Sequence, residues 1–271
     1  MIGTAESLGR RPRRRRTGSI AARVYVLAVL LYLFLPVLVV ILFSFTTSPR
    51  LSLPIEGFTL SWYQSALAEP LFSRALVNSL VLAIVTAVAA VGLGVPFCFA
   101  LARLRRRPRG LLLTASLLPL AVPALVVGVA LAVLFTAVGR PPSLLNSAVG
   151  HIVIALPFVV FTVNSRLETF DFSTLEAAQD LGASPLRTFR DVTFPLIRPS
   201  VIGAALLAMA LSLDEFVVTF FNIGNETSLP VLVWGLLRRG IDPSINALAT
   251  VVLLSLIGLV VVSNLLSRRG A

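Results

Sequence analysis

Asp214 and Glu215 are adjacent carboxylates inside a stretch, about residues 200–221, that is otherwise uncharged. An ionised carboxylate in the middle of a bilayer costs at least about 2.5–3.5 kcal/mol, so such side chains face a bundle interior or a watery path. There they hold a cation or a proton. Consecutive residues on a helix point about 100° apart, so the two cannot face one way. Ser212, Glu215, Thr219 and Asn222 recur at i, i+3, i+7 and i+10 and compose one polar stripe. Glu215 is therefore the expected lining residue and Asp214 its flank, and Glu215→Gln is expected to impair cation uptake with assembly intact. Neutralisation of the pair by arginine, or by helix-end donors from a partner subunit, is the competing reading.

Other chemistry is narrowed by what the chain lacks. All 23 basic residues are arginine. Without lysine there is no Walker A loop to reach nucleotide phosphates, and no Schiff base. One cysteine, Cys98, allows neither an internal disulfide nor a cysteine metal cluster, and reads as a small buried hydrophobe. One histidine, His151, opens an apolar stretch beside Gly150 and reads as packed or snorkelling, since a lone ligand builds no metal site. No catalytic residue and no metal site is expected.

A second polar constellation occupies residues 166–199. Ser173 and Glu176 fit a capping box, which predicts a helix over about 174–181 with Leu175 and Ala178 on one face. Gly182 suits the left-handed position that ends a helix. Ser184-Pro185 restarts one, with Leu186, Phe189 and Val192 at helical spacing and Pro195 and Pro199 closing it. As a bare pattern this is either a polar connector on the membrane or a docking surface for something soluble.

The elements that position these groups follow from hydropathy. The chain is 57% hydrophobic with a mean hydropathy of +0.95, more apolar surface than a soluble domain can hide. About 20 apolar residues cross the hydrocarbon core. Six stretches qualify, at about 24–45, 75–101, 111–138, 145–165, 200–221 and 244–266. The first reads as a retained helix, being too long for the core of a leader and lacking a small-residue cleavage site. Eighteen arginines flank one set of span ends (Arg10, Arg103, Arg166 and Arg268 among them) and five the other (Arg50, Arg74, Arg140, Arg238 and Arg239). The positive-inside rule then places both termini and the 166–199 loop in the cytoplasm. The net charge of +11 is thus a topology signal beside anionic lipid, not a nucleic-acid footprint.

Pro119 and Pro123 should kink the third span. Trp62, Tyr63 and Trp234 fall near the expected external interface, as aromatic anchors or as contacts for a binding protein. The expected fold class is all-α, a polytopic membrane protein of six transmembrane helices. Its parts are 1–71 (basic N-terminus, first helix and external loop), 72–266 (a five-helix core) and 267–271 (a tail). No inverted repeat is visible.

Glu176-Ala177-Ala178, a glycine six residues after the Glu (Gly182) and a proline thirteen beyond it (Pro195) resemble the EAA loop of type I ABC importer permeases, which lies between the fourth and fifth of six helices. The resemblance runs from about residue 72 onward. Ser212-Leu213-Asp214-Glu215-Phe216-Val217-Val218 and Asn246-Ala247-Leu248-Ala249-Thr250 look like the C-type permeases of spermidine/putrescine importers. The resemblance implies the type I permease fold in a bacterial inner membrane. It also implies that Glu176, Ala177, Ala178, Gly182 and Pro195 couple to an ABC ATPase dimer, and that ATP and Mg are held by that partner, with no cofactor in this chain. A second homologous permease and an extracytoplasmic substrate-binding protein complete the implied partners, with membrane lipid and without nucleic acid. The chain would do no covalent chemistry. A polyamine, a row of ammonium groups separated by methylenes, suits a carboxylate on the path. The alternatives are ferric iron, thiamine or a phosphonate on the same machinery, or an ion-coupled secondary transporter using Asp214 and Glu215.

Overall fold

Long apolar runs become helices because, without water, each backbone N–H and C=O must be paired within its own segment. The computed structural model describes residues 16–49, 54–171, 173–239, 243–254 and 257. Its helices are α1 Arg16–Phe43, α2 Ser61–Ala68, α3 Pro70–Ala102, α4 Arg106–Leu117, α5 Ala124–Ala137, α6 Leu144–Glu168, α7 Ser173–Asp180, α8 Pro185–Thr188, α9 Phe194–Asp214, α10 Val217–Asn222 and α11 Leu229–Arg239. A twelfth, α12, covers Pro243–Leu254. The all-α expectation holds: apart from one isolated bridge, Thr46 to Phe58, no strand pairing occurs among the described residues.

Four helices are long and apolar enough to cross a membrane, or five if one sharply bent pair counts as a span. That pair is the expected kink at Pro119 and Pro123, sharper than a kinked helix. The third span breaks by 94°, with a 3-10 turn over Leu118–Ala121 between α4 and α5. Two prolines four residues apart remove two donors and clash with two preceding carbonyls, more than one helix can absorb by curving. The basic N-terminus before residue 16, the end of the expected sixth span beyond 257 and the tail 267–271 lie outside the described residues.

The chain divides into two compact units, Met1–Ala66 with Asp242–Ala271, and Leu67–Ile241. In the first, the loop after α1 folds back on itself. Trp62 Nε1 donates to Thr46 O at 2.6 Å, and Tyr63 Oη lies 2.6 Å from Ser44 Oγ. The polar tips of both aromatics are therefore used within the loop.

In the second, α3, α6 and α9 pack around Ala87, Ala90, Cys98, Ala155, Val159 and Ala204. Small side chains let helix backbones approach closely, which is how helices associate where lipid offers no hydrophobic drive. Cys98 is buried in this core, as its apolar surroundings imply.

Candidate functional site

The fifth span holds the carboxylates, and it is not one helix. α9 ends at Asp214, Glu215 is extended (φ −74, ψ 99), and α10 starts at Val217. Glu215 Oε1 accepts the Val218 N–H at 2.9 Å, so this carboxylate caps the second half-helix. Its backbone carbonyl accepts from Thr219 Oγ1 at 2.7 Å. Asp214 is exposed, whereas Glu215 is half-buried.

The break corrects the expected stripe. Ser212, Glu215, Thr219 and Asn222 share a face only on a continuous helix; with the rotation at Glu215, Ser212 and Thr219 both meet His151 on α6 while Asn222 turns to α5. Ser212, Thr219 and Asn222 are 5%, 0% and 1% exposed, too enclosed to line an open path in this conformation. Asn222 Nδ2 bonds Gly128 O on α5 at 2.9 Å, and Asn222 O accepts from Ser143 N at 2.8 Å. Val218 sits between two glycines: a Cβ at Gly128 would lie 3.2 Å from Val218 Cα, and one at Gly150 would overlap Val218 Cγ1. These contacts seat α10 against α5 and α6.

Aromatic rings flank the break. Phe216 lies 5.4 Å from Trp234 on α11 and 5.5 Å from Phe220, and the Arg238 guanidinium stands 5.2 Å from the Trp234 ring centre. Trp234 thus belongs beside the carboxylates. Sequence reading missed this, because the rings stand 18 positions apart and do not meet until α11 folds back along α3 and α9.

The polar loop forms the expected helix–turn–helix with a different first cap. The Ser173 N–H donates to Asp171 Oδ1 at 3.0 Å. Hydrogen bonds from the Ser173 hydroxyl and then its N–H hold the exposed Asp171 carboxyl below the usual carboxylate range. Asp171, not Ser173, is therefore the capping acceptor. Glu176 and Ala177 are exposed, and Leu175 and Ala178 turn inward.

At the other end of α7, Gly182 has φ +86, Ala183 N bonds Ala178 O at 3.1 Å and Gly182 N bonds Gln179 O at 2.8 Å. Those two bonds are a complete Schellman ending. Ser184 Oγ then caps α8 through the Arg187 N–H, with Pro185 in the first turn.

Pro195 does not close the second helix. Pro185–Asp214 runs on as one 30-residue helix through a π turn at Phe189–Thr193, where Phe194 N reaches Phe189 O. The wider turn makes room for the proline ring against the carbonyl one turn back, and π turns of this kind concentrate at functional sites.

Leu181 and Leu186 are 90% and 78% exposed. Leu186, Arg187, Phe189, Arg190 and Phe194, with Ser184, line an open groove of about 610 Å³. Phe189 also meets Phe99 of α3 edge-on at 5.8 Å, joining the loop to the core helices. The signal for this surface was present as Leu181, Leu186 and Phe189 among the polar residues of the loop.

Residues 92–269 match the family described as binding-protein-dependent transport system inner membrane component. Over 245 residues the chain is 34% identical to the spermidine/putrescine transport system permease protein PotC of Escherichia coli (strain K12), covering 90% of this chain and 92% of that one. Identity to the putrescine transport system permease protein PotI of the same strain is 36% over 234 residues, 82% of each chain. A crystal structure of a bacterial ABC transporter involved in the import of the acidic polysaccharide alginate superposes with a TM-score of 0.69 at 18% identity. That match covers 95% of this chain and 98% of that one, and is a likeness of fold alone.

Proposed function

The chain belongs to the family of binding-protein-dependent transport system inner membrane components, as a multi-pass permease subunit of the inner membrane, and from that premise we propose that it carries polyamines and is driven by a separate ATPase. The observation that carries the cargo reading is the exposed Asp214 carboxylate at a helix break, in a stretch (residues 200–221) charged only at Asp214 and Glu215. Glu215 is engaged as a cap, so Asp214 is the free carboxylate of the pair.

The rings of Phe216 and Trp234 add faces that attract ammonium groups, as the position of Arg238 over Trp234 illustrates. A chain of ammonium groups and methylenes matches a carboxylate set among aromatic rings. The names of the PotC and PotI relatives, spermidine/putrescine and putrescine permeases, support the same cargo.

On this reading the exposed helix–turn–helix of Glu176, Ala177, Ala178 and Gly182 enters a groove on an ABC ATPase, where ATP and Mg would be bound. Pro195, at the π turn, ties that loop to α9. Because the helix is continuous from Pro185 to Asp214, a push on the loop is carried along one rigid rod to the break. A second permease would face Asp214, and an extracytoplasmic binding protein would deliver cargo. The chain's part is to bind, orient and release, with no bond made or broken in it.

The test is uptake of labelled spermidine into vesicles holding this chain, its ATPase, the partner permease and the binding protein. ATP-dependent entry is expected. Entry through this chain alone, with no ATPase, overturns the ABC reading in favour of a secondary transporter. ATP hydrolysis stimulated by a different solute, with spermidine left outside, overturns the cargo.

A further inference from the structure

The single histidine, His151 on α6, has no part in coupling or cargo as described so far, yet it is 2% exposed and both ring nitrogens are engaged. Nδ1 lies 2.7 Å from Ser212 Oγ, on α9 just before the break. Nε2 lies 2.7 Å from Thr219 Oγ1, on α10 just after it. Ser212 Oγ is in turn 3.3 Å from Thr86 Oγ1 of α3.

The protons can be assigned. The one Thr219 hydroxyl proton goes to Glu215 O at 2.7 Å, so Thr219 Oγ1 accepts from His151 Nε2–H. In a neutral imidazole Nδ1 then accepts from the Ser212 hydroxyl, whose 2.7 Å contact to the ring is shorter than the 3.3 Å one in which it points to Thr86 Oγ1. The bridge runs from Ser212 through the ring to Thr219, and its end point is the carbonyl of the extended residue itself.

Neither half-helix depends on this bridge to stay packed. α9 is held by the small-residue core with α3 and α6, and α10 by Asn222, Ser143 and the two glycines around Val218. Both halves rest on α6, α9 through that core and α10 through Gly150, but these contacts are apolar and act on separate sides of Glu215. A ring bonded to one hydroxyl on each side sets the angle between the halves. A buried hydrogen-bonded bridge specifies geometry, since any other angle leaves a ring nitrogen unpaired.

We propose that His151 is a positioning residue which fixes the angle at the Glu215 break and thereby the presentation of the Asp214 carboxylate to a cationic cargo. This rests on the cargo reading above, and the experiment separates the two. In vesicles holding the complete importer, His151→Ala is expected to raise KM for spermidine about tenfold, the loss of one well-formed charge-assisted contact, with the maximal rate within about twofold. Thr219→Val and Ser212→Ala should raise KM in the same direction and add little on top of His151→Ala. His151→Ala should add little on top of Asp214→Asn, because it acts through that carboxylate. His151→Gln, which keeps a donor and an acceptor, should recover part of the loss.

A role in stability alone would instead lower the amount of assembled complex and the maximal rate, with KM unchanged. That pattern, or effects of His151→Ala and Asp214→Asn that multiply independently, overturns the proposal. If His151→Ala does not assemble, Thr219→Val and Ser212→Ala each remove one bond with little change in volume and carry the same test.

A second measurement needs no cargo. Cys98 is buried, so in Asp214→Cys a maleimide reports position 214. His151→Ala in that background should change the labelling rate about tenfold, and an unchanged rate overturns the proposal even if the importer carries some other solute. A wild-type complex that hydrolyses ATP and leaves spermidine outside, with labelling still sensitive to His151, removes the cargo reading and retains the positioning role.

Discussion

The two carboxylates of the fifth span have different occupations, and that difference makes a measurable contrast. Asp214 is exposed, while Glu215 spends an oxygen on the Val218 N–H. Asp214→Asn removes a charge-assisted contact, typically about 1.5–3 kcal/mol, so KM for a cationic cargo should rise about 10–100-fold. Glu215→Gln keeps an amide oxygen that can accept the same N–H, and a threefold change or less is expected, on the order of the few tenths of a kcal/mol that separate good caps. Initial uptake rates over a range of spermidine concentrations give both values. This order reverses the one drawn from the stripe, and the stripe returns if Glu215→Gln proves the more damaging. Glu215→Ala, which deletes the cap, should cost about 0.5–2 kcal/mol of local stability, visible as a lower melting temperature of the purified complex.

At the level of elements, the loop after α6 stands on its turn. Gly182 holds φ +86 with open space around its Cα, so a side chain there meets strain and no clash. Gly182→Leu should cost about 1–2 kcal/mol through the left-handed backbone alone, while Gly182→Asn, a residue that tolerates this region, should cost less. Basal and cargo-stimulated ATP hydrolysis would read the effect: Gly182→Leu is expected to uncouple hydrolysis from uptake, and Gly182→Asn to stay near wild type. Glu176→Arg, a charge reversal on the exposed face of α7, should uncouple in the same way with membrane insertion unchanged. In the proposed function the helix from Pro185 to Asp214 would carry such a change to the carboxylates. Its π turn at Phe189–Thr193 accommodates Pro195 without ending the rod.

At the scale of the molecule, much of the apolar surface faces outward: Leu111, Val88 and Phe161 are 74%, 69% and 62% exposed. Lipid and a second permease are the expected cover, because four or five spanning helices beside an exposed acidic break make a poor pore alone. Omitting the partner permease from the reconstitution should therefore abolish uptake, and omitting the binding protein should leave at most a slow, unsaturable entry; tracer counts in the vesicles decide both. Tight seating of α10 is part of the same economy of space. Gly150→Leu would force a side chain into Val218, and overpacking of this kind costs about 1–3 kcal/mol, so less assembled complex is expected on size exclusion.

What was legible in advance was local. Apolar runs of about 20 residues have to become helices in a bilayer, and Gly182 and Ser184-Pro185 mark a stop and a start through chemistry confined to a few neighbours. The EAA pattern could be recognised for the same reason. Where capping had two candidates within three residues, Asp171 took the role expected of Ser173, because the Ser173 hydroxyl and N–H both turn back to it. The break at Glu215, the 94° turn after α4 and the partners of His151 belong to the tertiary structure. His151 meets hydroxyls 61 and 68 residues away. Helical periodicity assumes the helix continues, and nothing near Asp214 forbids that; it is the seating of α10 between Gly128 and Gly150 that makes a bent span cheaper than a straight one.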